Sequence, residues 1–243
     1  METARRAVKV LGLRRAARWV RALVAEDEPV WKSRGRRDEQ HLKAILTSVL
    51  TPDANCIDVG ASAGDVLADI VRAAPNGRHI AFEPLPEFAE TLARRFPTVD
   101  VRCVALSNTV GTRPFVHVKN LPAYSGLRER DYPDGVDLEH ITVRTERLDD
   151  AIPPEYIPDL IKIDVEGAEY LVMDGARMTI ARYRPIVVFE SSGVDNPYGT
   201  RLKDVHQLLC MEAGLRIFDL DGNGPYSYEE FSQTMFFNFI AHR

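Results

Sequence analysis

The chain has 243 residues, enough for one α/β domain with additional segments. It is 45% hydrophobic and 28% charged, as in soluble globular proteins, and its net charge of −5 argues against a general nucleic-acid binder. Its apolar runs are too short for a membrane span and its arginine-rich start does not resemble a secretory signal, so we expect a cytoplasmic protein without stable membrane insertion. Three cysteines, Cys56, Cys103 and Cys210, are odd in number and lie in apolar segments, which predicts buried thiols.

The N-terminal stretch is basic and carries one apolar stripe. Residues 1–37 hold a disproportionate share of the Lys and Arg residues. Apolar residues recur there at alternating spacings of three and four, which predicts one helix face: Val10, Leu13, Ala17, Val20 and Val24. The face could bury against the domain or against a second subunit in a homodimer, or lie on a membrane surface, and one short stripe favours burial in protein. We expect residues 1–50 to form a helical, basic extension and residues 51–243 to form the main domain.

After residue 52, short apolar strands alternate with helices. The predicted strands are Asn55–Gly60, Arg78–Glu83, Val99–Leu106, Thr112–Val118, Ile141–Thr145, Asp159–Asp164, Pro185–Glu190, Leu215–Leu220 and Thr234–Ala241. The predicted helices follow Gly60 as far as Ala74 and cover Glu87–Phe96, Ala168–Arg182 and Leu202–Ala213. This alternation predicts an α/β fold with a doubly wound, mostly parallel, Rossmann-like sheet, helices on both faces, and an antiparallel strand near the C-terminus.

Ligands of doubly wound sheets bind at the carboxyl ends of the strands, near the point where the strand order reverses. The residues that end the predicted strands are therefore the first candidates for a site: Gly60, Glu83, Ser107, Asp164 and Glu190.

The first strand runs into a turn of small residues before a helix, where a ligand can approach the backbone and free N–H groups. Glu83 ends the next strand, where a carboxylate can accept both hydroxyls of a ribose. Asp58 would repel the pyrophosphate of NAD but attract the ammonium and sulfonium of S-adenosylmethionine. Ser62 and Asp65 also stand where a dinucleotide fingerprint has glycines. These features favour S-adenosylmethionine, although Asp58 could merely cap the turn and Glu83 pair with a helix.

Six segments in a fixed order carry a resemblance to a known family: IDVGASAG (57–64), AFEPLPE (81–87), ALSNTVG (105–111), VRTERLDD (143–150), LIKIDVEGAEYLVMDGA (160–176) and RPIVVFE (184–190). The chain resembles the FkbM-type S-adenosylmethionine-dependent methyltransferases, which mostly methylate hydroxyls of sugars and other natural products. The resemblance implies a methyltransferase sheet whose cofactor lies near Ser107 and Asn108 as well as over Asp58, Gly60, Ala61, Ser62, Gly64 and Glu83. Ser62 departs from the family's usual Asn, and Asp65 from its frequent aromatic residue.

Methyl transfer to a hydroxyl requires alignment of donor and acceptor and removal of a proton. Asp164 and Glu190 end predicted strands, and Lys162 lies two residues before Asp164 on the same strand face. Asp164 or Glu190 could be the base, with Lys162 tuning the acceptor or neutralising a partner. Alternatively, Asp164 and Glu190 could bind Mg²⁺, since a cation would relieve the repulsion between them. Glu166 and Glu169 are expected only to suit a helix N-terminus.

The long polar segment 119–140, with Tyr124 and Tyr132, is a candidate acceptor lid. We expect an O-methyltransferase for a small saccharide or glycolipid precursor, a mannose-containing polysaccharide precursor being one example. The alternatives are a methyltransferase of a lipid, polyketide or RNA ribose hydroxyl, or a cofactor-binding protein without turnover. The acidic chain, which has no RNA-binding module, argues against RNA, and the set Lys162, Asp164 and Glu190 argues against a non-catalytic protein.

Overall fold

A computed structural model describes residues 30–129, 132–191, 198–234 and 238–243. The chain divides into two compact units, residues 1–40 and 41–243, and the described part of the first is helical. The predicted apolar stripe of residues 10–24 lies outside the described residues. None of the helices in the described ranges combines the length and apolar character that crossing a bilayer requires.

Ten strands and eight α-helices are described. The strands are β1 Cys56–Val59, β2 Ile80–Phe82, β3 Asp100–Arg102, β4 Ala105–Leu106, β5 Gly111–Val118, β6 Leu138–Glu146, β7 Leu160–Ile163, β8 Ile186–Glu190, β9 Arg216–Asp219 and β10 Asn238–His242. The helices are α1 Val30–Val49, α2 Asp65–Ala73, α3 Pro86–Arg95, α4 Leu148–Ala151, α5 Glu169–Gly175, α6 Arg177–Tyr183, α7 Leu202–His206 and α8 Tyr228–Ser232. A π-helical segment, Gln207–Glu212, continues α7.

Seven strands form the central sheet, in the order β3-β2-β1-β7-β8-β10-β9. The first five of these are parallel to one another, and β10 runs antiparallel to both of its neighbours. The predicted doubly wound, mostly parallel sheet with an antiparallel strand near the C-terminus is thus confirmed. The strand order reverses at β1, so the carboxyl ends of β1 and β7 lie side by side where such sheets bind ligands.

One predicted strand, Val99–Leu106, is wrong as a single element. Its first part is the edge strand β3, whereas β4 belongs to a second sheet of order β4-β6-β5. The chain leaves the central sheet after Arg102, whose carbonyl oxygen accepts the N–H groups of Glu83 and Val104, at 3.1 Å and 3.0 Å. Apolar residues continue from β3 into β4, so the sequence pattern does not reveal that the chain passes from one sheet to the other.

The predicted helix Ala168–Arg182 is also divided, into α5 and α6. The carboxylate of Asp149 accepts the N–H groups of Met178 and Thr179 at 3.0 Å and 2.9 Å, which caps a new helix start after Ala176. The cap comes from a distant segment, so helical periodicity alone does not predict the division.

Apolar side chains cover both faces of the sheet. On one face β1, β7 and β8 pack against α5 and α6, with Met173 and Ile180 fully buried. On the other, Leu46 and Ile70 pack over Leu160 and Val188. The cysteine prediction is only partly right: Cys56 is buried and Cys210 is intermediate, but Cys103 is exposed. Cys103 follows the edge strand β3, at the point where the chain leaves the central sheet.

Glycine at position 175 lets α5 approach the backbone that follows β4. An added Cβ would stand 2.1 Å from the carbonyl oxygen of Ser107. In an open helix, Gly→Ala raises the free energy of unfolding by about 1 kcal/mol, whereas overpacking lowers it by about 1–3 kcal/mol. We therefore predict that Gly175→Ala destabilises the protein in urea denaturation. Gly35→Ala, in a helical position with open space around it, is the control and should be neutral or stabilising. A stabilised Gly175→Ala variant would contradict the close packing.

Candidate functional site

A cleft lies over the carboxyl ends of β1, β2 and β7. The second sheet closes it from the side through β4, β5 and the segment that follows β5. The residues that line it are Val59, Gly60, Ser62, Phe82, Glu83, Pro84, Leu85, Phe88, Val104, Ala105, Leu106, Phe115, Pro122, Ala123, Ser125, Leu127, Asp164, Val165, Glu166 and Ala168. The cleft is therefore largely apolar, with its acidic groups at the strand ends.

Glu83 holds together the turn after β1 and the turn after β2. Its Oε2 accepts the N–H of Ser62 at 2.8 Å, and its Oε1 accepts the N–H of Leu85 at 3.0 Å. The side chain is 5% exposed and lines the cleft. Burial raises the pKa of Glu83 although both N–H groups favour the carboxylate. Glu83 thus fixes residues 60–64, named the cofactor loop after the sequence prediction, and keeps lone pairs for a ligand.

The cofactor loop needs small residues because it packs against Asp164, the residue that follows the carboxyl end of β7. Gly60 has a φ of +74°, and an added Cβ would stand 1.9 Å from the carbonyl oxygen of Asp164. Ser62 also adopts a left-handed φ of 47°. Asn adopts this conformation more readily than Ser, so Ser62 holds a backbone conformation that is unfavourable for its residue type. The backbone of the loop therefore lies in direct contact with the backbone of Asp164, which leaves no room for a side chain at Gly60.

Lys162 lies beneath the cleft and joins β1 to β7. Its Nζ is 3.4 Å from Asp58 Oδ1 and 3.4 Å from Asp164 Oδ2, and it donates to the Gly60 carbonyl oxygen at 3.1 Å. Asp58 and Lys162 are register partners in neighbouring parallel strands, so their side chains project from the same face. Burial alone would lower the pKa of Lys162, but Asp58 and Asp164 more than offset it and the pKa is raised.

This pairing changes the expected role of Asp58. The residue was expected to attract the cationic groups of the cofactor, but its side chain is 1% exposed. Its charge faces Lys162 at the level of the strands, below the cofactor loop. Burial raises the pKa of Asp58, and Lys162 opposes that rise. Asp58 therefore balances a buried lysine and is not among the residues that line the cleft in the described part of the chain.

Three carboxylates converge beside the cleft. Asp164, Glu169 and Glu190 each present an oxygen within 4.8 Å of the others. Burial and then the charge of Asp164 raise the pKa of Glu190 well above its ordinary value. Burial raises the pKa of Glu169 to about 7. The structure thus brings Asp164 and Glu190 together and adds Glu169, which was expected only to suit a helix N-terminus.

Four residues predicted to contact the cofactor are not among the described residues that line the cleft. Ser107 is fully buried, and its hydroxyl finds no hydrogen-bond partner within the described ranges. Asn108 donates to Asp174 Oδ2 at 3.0 Å. Ala61 is a buried member of the loop, and Gly64, whose φ is +83°, is the N-cap residue before α2 and packs against Leu92. The backbone turns after β4, so Val104, Ala105 and Leu106 face the cleft in place of residues 107 and 108.

The segment predicted to be an acceptor lid contributes groups to the cleft that the sequence analysis did not single out. The predicted lid segment contains a 3₁₀ turn, Pro122–Tyr124, and then a bridge between Gly126 and Val116. Ser125 and Leu127 line the cleft. An added Cβ at Gly126 would stand 3.4 Å from the Tyr198 hydroxyl and 3.8 Å from the Cβ of Glu166, which lines the cleft. The guanidinium of Arg128 lies 5.7 Å from the ring centroid of Tyr198. Pro122 and Ala123 line the cleft, whereas Tyr124 and Tyr132 are not among its lining residues in the described ranges.

Comparison with known proteins identifies the kind of domain. A family model described as the Methyltransferase FkbM domain matches residues 58–217, more than half of the chain. The Methyltransferase sdnD of Sordaria araneosa is 27% identical over 186 residues, which are 61% of this chain and 71% of that protein. The AMB antimetabolite synthetase AmbE of Pseudomonas aeruginosa is 30% identical over 179 residues, which are 58% of this chain and 8% of AmbE.

A solved structure shares the fold. The crystal structure of Methyltransferase FkbM from Methylobacillus flagellatus KT superposes with a TM-score of 0.52 and 18% identity, and the match covers 80% of this chain and 44% of that one. The chain therefore spans less than half of that protein.

The raised pKa of Glu169 has a consequence for stability. An acid whose folded pKa lies above its unfolded value stabilises the fold below the unfolded pKa and loses that contribution as pH rises through the folded one. For Glu169 that window runs from 4.5 to about 7. We predict that, between about pH 5 and pH 7, the free energy of unfolding falls less with rising pH in Glu169→Gln than in the wild type, the difference being about 1–2 kcal/mol. Urea denaturation in EDTA measures it, with Glu230→Gln as the control because the pKa of Glu230 is lowered. Parallel wild-type and Glu169→Gln profiles would contradict the assignment.

Proposed function

Since the chain belongs to the FkbM methyltransferase family, we propose that it transfers the methyl group of S-adenosylmethionine to a hydroxyl oxygen of a small acceptor. The observation that carries the proposal is the cleft at the switch point of the sheet. Glu83, Asp164, and Gly60 and Ser62 of the cofactor loop all line that cleft. A donor held over the loop and an acceptor beside Asp164 can therefore meet in it.

The residues around the cleft fit S-adenosylmethionine better than NAD. Each oxygen of Glu83 accepts one backbone N–H, which leaves lone pairs for the two ribose hydroxyls. Val104, Ala105, Leu106 and Phe88 offer an apolar surface for a purine. The acidic strand ends suit a cationic donor and would repel a pyrophosphate.

The donor supplies an electrophilic methyl carbon on a sulfonium, so the chain needs to align the acceptor and accept one proton. As the acceptor oxygen forms its bond to the methyl carbon, the carbon–sulfur bond breaks and its electron pair stays on sulfur. We assign the acceptor proton to Asp164, whose side chain is 42% exposed at the cleft. Glu190 lies beside it, and Lys162 holds it from below.

A divalent ion is the alternative partner of these acids. Asp164, Glu169 and Glu190 form a set of hard oxygen donors of the kind that Mg²⁺ prefers. When bound, such an ion would lower the pKa of the acceptor hydroxyl. Against this, Glu169 already directs one oxygen to two backbone N–H groups, and the raised pKa of Glu190 indicates that a proton can separate the acids instead.

For the acceptor, we propose a saccharide or glycolipid precursor, of which a mannose-containing polysaccharide precursor is one example. The apolar wall and the nearby Tyr198 suit the apolar faces of a sugar ring. A lipid, polyketide or other natural product is the main alternative, because one relative is a synthetase of an antimetabolite. An RNA ribose is disfavoured, because binding of an RNA backbone depends on cationic side chains that can contact phosphates. Lys162 beside the cleft is instead paired with Asp58 and Asp164 and donates to the Gly60 carbonyl oxygen.

The cofactor assignment predicts the effect of Glu83→Ala. The variant loses the charge-assisted bonds to ribose, so S-adenosylhomocysteine should bind more weakly by about 1.5–3 kcal/mol. Isothermal titration calorimetry measures the affinity, with NAD as the competing ligand that should not bind. Glu90→Ala removes a carboxylate that is 72% exposed on α3 and should leave the affinity unchanged. If Glu83→Ala binds S-adenosylhomocysteine as tightly as the wild type, or if the wild type binds NAD tightly, the assignment of Glu83 and this cleft to S-adenosylmethionine is wrong.

The chemical role of Asp164 is tested by Asp164→Asn, which keeps the shape and removes the charge. Turnover should fall by about 10²–10⁴-fold, as for a lost general base, while the affinity for S-adenosylhomocysteine stays within about threefold. Labelled S-adenosylmethionine and a panel of sugars, glycolipids and RNA provide the assay, with the surface variant Asp53→Asn as the control.

The same assay with EDTA separates the two mechanisms. Activity that survives EDTA supports the direct base, and activity that is lost in EDTA and restored by Mg²⁺ or Mn²⁺ supports the metal. Full turnover by both Asp164→Asn and Glu190→Gln would contradict both.

A further inference from the structure

Glu169 is a buried carboxylate with an unusual set of donors. It is the first residue of α5 and is 4% exposed. Its Oε1 accepts the N–H of Val165 at 3.1 Å and the N–H of Gly167 at 3.0 Å. The side chain therefore reaches back across the turn that precedes its own helix, residues 164–168, and two of the turn's N–H groups converge on one oxygen.

That turn has a costly backbone conformation. Glu166 and Gly167 are consecutive residues with left-handed φ values, +58° and +97°. A residue with a Cβ in this region costs about 1 kcal/mol, so surrounding structure must hold it. The Glu169 carboxylate accepts the N–H groups on both sides of Glu166, which stabilises the left-handed step between them.

The same turn supplies the reaction end of the cleft. Asp164, Val165, Glu166 and Ala168 line the cleft, and the carbonyl oxygen of Asp164 packs directly on Gly60. A shift of this turn would therefore move the proposed proton acceptor relative to the cofactor loop. Misplacement of a reacting group by about 1 Å can lower turnover by about 10²-fold.

We propose that Glu169 is a positioning residue for methyl transfer, which fixes the 164–168 turn through its two backbone N–H groups. Glu169 is not among the residues that line the cleft in the described part of the chain, so it acts through Asp164 and not on the acceptor. The inference rests on the proposed function for its kinetic consequence, but the geometry of the turn can be tested without any acceptor.

Two substitutions of Glu169 separate the effect of its side-chain length from the effect of its charge. Glu169→Gln keeps an oxygen at the same position and can accept both N–H groups, but it has no charge. Glu169→Asp keeps the charge but shortens the side chain by one methylene, so its oxygens cannot reach both groups. A third variant, Glu169→Met, has a similar volume and no oxygen. Glu230→Ala is the control, because Glu230 accepts the N–H of Ser227 in an equivalent cap at the start of α8.

Hydrogen–deuterium exchange of the peptide that contains residues 164–168 is the first readout. Exchange should rise about tenfold or more in Glu169→Asp and Glu169→Met, since each loses bonds that protect Val165 and Gly167. It should stay at the wild-type level in Glu169→Gln and Glu230→Ala. A separate peptide over β1 reports whether the fold is intact. If Glu169→Met does not fold, the Gln and Asp pair still gives the contrast.

Kinetics and binding are the second readout. In Glu169→Asp, kcat should fall about tenfold or more, with the acceptor KM and the affinity for S-adenosylhomocysteine within about threefold of wild type, and Glu169→Gln should keep most of the kcat. Equal loss of kcat in the Gln and Asp variants, or an unchanged exchange rate in Glu169→Asp, would overturn the inference. Failure of the wild type to bind S-adenosylhomocysteine would overturn the proposed function, while the exchange contrast would still test the turn.

Discussion

The geometry of the cleft depends on the contacts made by the ammonium group of Lys162. It lies between the carboxylates of Asp58 and Asp164 and donates to the carbonyl oxygen of Gly60. These partners come from the end of β1 and the end of β7, which meet where the strand order reverses. A buried ion pair contributes little net stability compared with apolar side chains of the same size. Its effect here is geometric, since it fixes the cofactor loop against the turn that carries the proposed proton acceptor.

The remaining acids around the cleft are each stabilised in a different way. Glu83 accepts one backbone N–H on each oxygen. Glu169 accepts two on a single oxygen. For Glu190, burial and the charge of Asp164 disfavour the ionised carboxylate and raise its pKa well above the ordinary value. Asp164 is left as the exposed member of the set, at the place where the acceptor would enter. All four side chains are carboxylates, so their different roles follow from how deeply each is buried and from the groups beside it.

Much of this architecture is visible in the sequence. Strand and helix periodicity predicts the parallel sheet and its antiparallel strand, because both depend on local apolar patterns. The strand-end rule identifies Gly60, Glu83, Asp164 and Glu190. What the sequence does not show are contacts between distant segments. The Asp149 cap that divides α5 from α6 and the crossing of the chain after Arg102 are of this kind. So is the pairing of Asp58 with Lys162, which a cofactor interpretation of Asp58 alone overlooks.

The double variant Asp58→Asn/Lys162→Met tests this account most directly, because it removes the ammonium without leaving a buried charge unpaired. Its affinity for S-adenosylhomocysteine, measured by calorimetry on protein whose fold circular dichroism confirms, is the decisive quantity. If Lys162 fixes the cofactor loop through Gly60 and Asp164, the affinity should fall about tenfold or more, equivalent to about 1.4 kcal/mol. A folded double variant that binds S-adenosylhomocysteine as tightly as the wild type would contradict the central role of Lys162.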